Sequence, residues 1–312
     1  ACYPDMETLL QQPRLADVAV IATQDRQHIA HAMPALEKGY HLLLEKPISP
    51  DVQECIALRD AAHRCGRVVA VAHVLRYTEI FSAVKQLLQQ GAIGKLIHMD
   101  LIENVAYWHF AHSYVRGPRY NEQTSGPLAL TKSCHDMDFL LYLLGGASCQ
   151  GLASVGGLSV FRRERYDPDT MAPMCVDCPQ KDACAYSAPR LYGSGKIRSV
   201  VFDLSSVDKV RESLGNSPYG RCVYACDNNV ADHQATAIRF DNGVTATFNL
   251  SAFTAKVNRS LKVMCQFGEI RAIEKPYLNE TTDFRTDETN VIELDVRERG
   301  HGGGDSAFVR DF

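Results

Sequence analysis

With 312 residues, the chain is long enough for two domains with a core each. A formal net charge of −4 argues against nucleic acid or an anionic membrane as the main partner. No apolar run approaches a membrane span and Ala1–Asp5 lack the zones of a signal peptide. Eleven cysteines, an odd number scattered through predicted helices and strands, fit a reduced cytoplasmic protein better than a disulfide framework.

The predicted elements alternate at first. Met6–Gln12 reads as a short helix stopped by Pro13, and Val18–Ala22 as a buried strand. Gln27–Lys38 reads as a helix that Gly39 ends as its C′ residue. His41-Leu42-Leu43-Leu44 is the apolar run of a strand covered on both faces, closed by Glu45, Lys46 and Pro47. Pro47 cannot donate to a ladder and holds Lys46 extended, so the sheet ends there. Ser49 as N-cap and Pro50 at the first helical position open a helix that runs to Cys65, and Val68–Ala72 is the next strand. Strand, helix, strand, helix, strand at this spacing predicts parallel β with right-handed crossovers, the second half of a dinucleotide fold. Ligands of such sheets sit beyond the carboxyl ends of the strands, where Glu45 and Lys46 lie.

The pattern then changes. Phe81–Leu88 is helical, and Ile97, Met99 and Leu101 alternate with His98 and Asp100 as in a half-buried strand. Ile238 and Phe240 lead to the turn Asn242-Gly243, and Val244, Ala246, Phe248 and Leu250 return, followed by a strand with Leu261, Val263, Cys265 and Phe267. The expected class is α/β: a Rossmann-type parallel sheet in residues 1–76, incomplete in this chain, then an α+β domain over 77–312 with a mainly antiparallel, open-faced sheet. That second domain is expected to bind substrate and to form dimers or tetramers, with a cysteine-rich insertion at about 160–226. Between the two patterns, Leu130, Cys134, Met137, Leu141 and Leu144 have the spacing of a helix core face, and Thr131, His135, Asp138 and Tyr142 share an adjoining polar face.

Thr23 after the first strand, His28 on the next helix, Leu44-Glu45-Lys46-Pro47 after the second strand, and His135 with Asp138 on the polar helix resemble the Gfo/Idh/MocA oxidoreductases, typified by glucose-fructose oxidoreductase and inositol dehydrogenase. The resemblance implies NAD or NADP as cofactor and a sugar, sugar acid or polyol hydroxyl as substrate. It places Thr23, His28, Glu45, Lys46, Pro47 and Arg76 at the cofactor, and Tyr77 at the substrate. Lys46 is the first candidate base, a lysine whose pKa a cleft would lower; His135 is the second, with Asp138 beside it. Two departures stand out. No Gly-x-Gly-x-x-Gly turn is present, so the chain is expected to lack both the family's opening strands and, beyond a helix N-capped by Asp305, its end. The family's motif aspartate and glycine are Thr131 and Ser133 here, which either moves the aspartate's role to Lys132 or Asp136 or sets the chain apart from the inositol-dehydrogenase mechanism; Thr131 and Lys132 are the substrate-binding candidates on this stretch.

Three stretches lie outside the resemblance. Tyr107–Tyr120 holds the only tryptophan, two histidines and two arginines. It reads either as a sugar-binding lid that uses His112 and Arg116, or as a loop at an oligomer interface. His233, after Asp232, either faces the substrate or caps a strand start. Cys175, Cys178 and Cys184, with Cys222 or Cys226 as fourth thiolate, are expected to hold a structural zinc, with an iron–sulfur cluster as competitor. Two other functions remain open: a glycosidase-like enzyme that oxidises and re-reduces a sugar with no net NADH, and a non-enzymatic dinucleotide or sugar sensor.

Overall fold

The computed structural model describes residues 2–197, 203, 205–294, 296 and 301–312. Its contacts divide the chain into one unit of residues 1–90, 125–146 and 294–312, and another of residues 91–124 and 147–293. This differs from a cut at residue 76. The helices at 79–90, 134–144 and 304–311 all pack on the turn Val74–Tyr77 that leaves the parallel sheet, so they belong with it.

In the first unit β1 (Val18–Ile21), β2 (His41–Leu44) and β3 (Val69–Val71) form a parallel sheet in that order, with Ile21 opposite Leu44 and Leu44 opposite Val71. Leu42, Leu43 and Leu44 are all buried, as an unbroken apolar strand with helices on both faces requires. Leu42 and Leu44 pack with Ala32, Ala35 and Leu36 of the helix His28–Glu37 and with Leu58 and Ala61 of the helix Val52–Cys65. Gly39 does follow the first helix, at φ 93°, a left-handed conformation that glycine adopts without strain. The second helix starts later than Ser49 and Pro50 suggest: its N-cap is Asp51, whose Oδ1 accepts from Gln53 N, and Ser49 Oγ instead accepts from Asp51 N.

In the second unit β4 (Leu96–Asn104), β5 (Cys149–Gly157), β6 (His233–Phe240), β7 (Thr245–Ser251), β8 (Asn258–Cys265), β9 (Gly268–Ile273), β10 (Leu278–Asp283) and β11 (Glu288–Glu293) form one sheet. Its order is β11-β10-β9-β8-β4-β7-β6-β5, parallel only between β4 and β7. The Asn242-Gly243 hairpin forms, and Ile238, Phe240, Ala246, Phe248 and Leu250 are its buried face. Met99 and Leu101 are buried as their alternation predicts, but Ile97 is 54 % exposed. A register shift between Leu96 and His98 against β8 breaks the alternation there. Phe267 lies beyond the end of β8 in the turn to β9 and is partly exposed. Among the described residues no helix is long and apolar enough to cross a membrane.

The candidate active site

Lys46 stands past the carboxyl end of β2, and its Nζ donates to the carbonyl of Thr131 at 2.8 Å. That carbonyl is available because the polar helix is broken. One turn covers Leu128–Thr131, and a new helix covers Cys134–Leu144. A helix end leaves its last carbonyls without intrahelical partners, and the lysine takes one of them. The same break shifts the helix phase. The buried residues are His135, Asp136, Phe139, Leu140 and Leu143, whereas Leu141 of the expected core face is 43 % exposed.

The shift turns His135 inward, where it is 6 % exposed. Its ring lies edge-on to His73, 6.0 Å between centroids, and 6.0 Å from the ring of His301. His73 follows β3 in a tight turn, its N–H donating to Val71 O at 2.7 Å across Ala72. Its Nδ1 is 3.9 Å from Asp138 Oδ2. Burial is the main cause that lowers the His73 pKa; Asp138 opposes it, and the charges of Arg76 and Lys46 reinforce it. The Cys134 thiol, one residue before His135, is pushed up to about 11 by burial and stays neutral.

Asp138 is not placed as a free acid or base. Arg76 grips it from two sides, Nε to Oδ2 at 2.7 Å and Nη2 to Oδ1, and the guanidinium lies over the Tyr142 ring. The bond to Asp138 is also the main cause that raises the Arg76 pKa. The pair is a strut that fixes the helix of His135 to the end of β3, so Arg76 is spent on Asp138 rather than held out for a cofactor. Removing it with Arg76→Leu is expected to lower unfolding stability by about 1–2 kcal/mol. That is less than a fully buried pair would lose, because the Arg76 side chain is 38 % exposed. Chemical denaturation measures it, and a change below about 0.3 kcal/mol would rule the strut out.

His73 makes a second expectation. Its folded-state pKa lies below the ordinary 6.5, so the unfolded chain binds the extra proton first. Stability is therefore full above about pH 6.5 and declines as the pH falls below it. His73→Asn is expected to flatten that decline, measured as melting temperature against pH. Parallel curves for variant and wild type would show that His73 is not held neutral by the fold.

The other expected site residues divide clearly. Thr23 and Glu45 are exposed at the carboxyl ends of neighbouring strands, and Thr23 Oγ1 meets His31 Nδ1 at 3.0 Å. His28 is fully buried, its ring nitrogens 2.7 Å from Pro47 O and 3.1 Å from Thr23 O. It and the buried Pro47 tie the two loops together rather than touch a cofactor. Glu45 bonds to the backbone N–H of Lys46. Tyr77 donates to Asp311 Oδ2. The Thr131 hydroxyl turns back to Pro127 O, so this residue serves the site through its carbonyl and not its side chain. Lys132 is half-buried in the break.

In the second unit the stretch read as a lid or as an interface loop packs inward. Tyr107–Phe110 is helical and Ala111–Arg116 is a π-helical turn, with Phe110, Tyr114, Val115 and Arg116 buried. His112 bonds to Tyr192 and stacks on Tyr219. Arg116, 2 % exposed, donates to Arg221 O and Tyr186 O and reaches Cys175 Sγ at 3.5 Å, so it is a core residue and not a carboxylate fork. His233 bonds to Asp232, whose other oxygen accepts from Ser159 N and Val160 N, a local capping arrangement.

Cys175, Cys178, Cys184 and Cys222 do line one cavity of about 30 Å³ around Arg116. Yet among the described residues no group of three or more His, Cys, Asp or Glu side chains is arranged to hold a metal ion. The zinc expectation finds no support among the described residues. The Cys175 sulfur is engaged by Arg116 and Arg221 O, and burial raises the pKa of the Cys184 and Cys222 thiols, which favours neutral S–H groups.

A parallel sheet with helices on both faces is of the α/β type whose ligands sit beyond the carboxyl ends of the strands, where Lys46 stands. Residues 1–73 match the family model GFO_IDH_MocA, an oxidoreductase family with an NAD-binding Rossmann fold. YteT of Bacillus subtilis (strain 168), named as an oxidoreductase, is 22% identical over 308 residues, 95% of this chain and 71% of its own. Inositol 2-dehydrogenase 4 of Saccharopolyspora erythraea is 29% identical over 130 residues, 41% of this chain and 35% of its own. Among solved structures, levoglucosan dehydrogenase with NADH superposes with a TM-score of 0.70 at 16% identity, covering 99% of this chain and 72% of that one. Residues 1–73 are thus similar to the NAD-binding Rossmann domain of the Gfo/Idh/MocA oxidoreductases, and the fold is that of the levoglucosan dehydrogenase.

Two residues of the site had no signal in the periodicity. His73 sits in a turn, and His301 precedes a glycine run more than 160 residues from its neighbour His135.

Proposed function

We propose that the protein is an NAD(P)-dependent oxidoreductase acting on a hydroxyl of a sugar, sugar acid or polyol. Support comes from the family match over residues 1–73 and from relatives named as inositol dehydrogenases and as a levoglucosan dehydrogenase. The observation that carries it is Lys46 beyond β2, tied to the helix break that turns His135 inward.

When bound, the dinucleotide would take up the hydride of the carbinol carbon. Thr23 and Glu45, exposed where β1 and β2 end, are the side chains that would meet it. As the neutral amine, Lys46 takes the hydroxyl proton on its Nζ lone pair and becomes the ammonium, while the Thr131 carbonyl orients Nζ by accepting one of its hydrogens. His135 holds the same hydroxyl or relays its proton. The Arg76–Asp138 strut keeps His135 in place without joining the chemistry.

Calorimetric titration of NAD(H) and NADP(H) into the protein tests the reading, followed by a sugar and polyol panel scored for reduced cofactor. Saturable binding of one dinucleotide and turnover of one polyol are the expected results. Binding of neither dinucleotide would overturn it; cleavage of a glycoside with no net NADH would favour the redox-neutral chemistry instead.

A further inference from the structure

The triple glycine Gly302-Gly303-Gly304 has an unusual backbone. Gly302 and Gly303 have φ of 61° and 88°. A Cβ on Gly304 would come within 2.5 Å of Val74 O. These conformations and this close approach are open to glycine and costly to other residues. They let the helix Gly304–Asp311 dock on the turn Val74–Tyr77. Phe308 packs with Leu43, Ala72 and Val74, and Tyr77 bonds to Asp311.

The docked helix fixes the residue just before it. His301 has φ 43°, a left-handed conformation that is strained for a side-chain-bearing residue. Its ring is 6.0 Å from that of His135, while its Nδ1 is 2.8 Å from Asp305 Oδ1. Asp305 is therefore not the N-cap of the helix. Gly303 holds that position, with no side-chain capping bond. A surface His–Asp pair four residues apart on a helix is worth only tenths of a kcal/mol. That gain is too small to account for a side-chain-bearing residue held at positive φ. Strain of this kind collects where a side chain must be aimed.

The aim is toward the site. With Nδ1 donating to the Asp305 carboxylate, a neutral His301 ring carries its lone pair on Nε2 and can accept from a hydroxyl. The His301 side chain is 59 % exposed, so it is open to a ligand, whereas His135 beside it is buried. Through hydrogen bonds of about 2.8 Å, the two rings reach neighbouring oxygens of one small polyol.

We propose that His301 is a substrate-binding residue, oriented by Asp305, that holds one hydroxyl of a polyol while His135 and Lys46 hold its neighbour. The polyol class rests on the oxidoreductase reading above; the placement of His301 does not.

The test is calorimetric binding of myo-inositol and of levoglucosan to the full chain, with and without NADH. His301→Ala is expected to weaken binding of the polyol that binds by about tenfold or more, with the melting temperature and the NADH affinity unchanged. Asp305→Ala should do the same more weakly, and Asp305→Asn, which keeps an acceptor for Nδ1–H, should recover part of the loss. Equal polyol binding by wild type and His301→Ala overturns the assignment, as does failure of the wild type to bind either polyol. A parallel loss of polyol binding, NADH binding and thermal stability would reduce His301 to a structural role. The NADH arm is read separately. Absence of NADH binding, with polyol binding that still depends on His301, would sink the oxidoreductase reading and leave His301 in its place.

Discussion

Lys46→Ala is expected to lower turnover by about a thousandfold, the range over which a positioned proton-transfer group acts, while dinucleotide affinity changes little. The expectation follows from place rather than residue type. A lysine at a strand end is ordinarily a solvated charge, but this one is half-buried and spends a hydrogen on the Thr131 carbonyl. The alanine variant leaves that carbonyl without this donor, at a cost of about 1 kcal/mol. A modest loss of stability should therefore accompany a large loss of rate. Lys46→Arg separates charge from geometry: it keeps a cation beyond β2, but a guanidinium does not give up its proton in this pH range and so cannot serve as a base, and it should be nearly as slow as alanine. Steady-state rates on the polyol found by the panel, with calorimetric dinucleotide binding as control, decide the matter. Either variant turning over at the wild-type rate would remove Lys46 from the mechanism.

The sequence made the strands legible where burial and local chemistry agree. Three short apolar runs became β1, β2 and β3, and Asn242-Gly243 turned its hairpin, because a glycine at φ 85° and alternating apolar residues both favour that turn. Lys46 was legible too, since Pro47 announces the end of the strand. The polar helix was misread because periodicity assumes one phase, and the break at Lys132-Ser133 resets it; leucines assigned to the core moved outward and His135 moved in. Arg116 was misread for another reason: aromatic-rich, basic stretches look alike whether they pack inward or face a ligand. The contacts that complete the site, Lys46 to Thr131, Arg76 to Asp138 and His135 to His301, join residues 62 to 166 positions apart, a range on which no helical or strand period bears.

The largest stability effect is expected at Glu103 and Arg259, directly opposite each other on β4 and β8. Glu103 continues the inward-facing stripe of Met99 and Leu101, so its carboxylate lies at a core position and is fully buried. Arg259 Nε stands 2.7 Å from its Oε2, with only 9 % of the arginine side chain exposed. Glu274 joins from the adjoining strand end, accepting from the Arg259 N–H at 3.0 Å. Removing one partner leaves the other charge in a low-dielectric interior, which costs far more than the pair contributes. Glu103→Leu or Arg259→Met alone is therefore expected to lower stability by about 3–5 kcal/mol, enough to unfold a marginal protein. Glu103→Leu combined with Arg259→Met removes both charges and keeps apolar volume, so it should recover most of that loss. Urea unfolding of the two single variants and the double variant forms the cycle. If the double variant is as unstable as the sum of the singles, the charges are not coupled, and the stability of this sheet rests on the apolar residues around them.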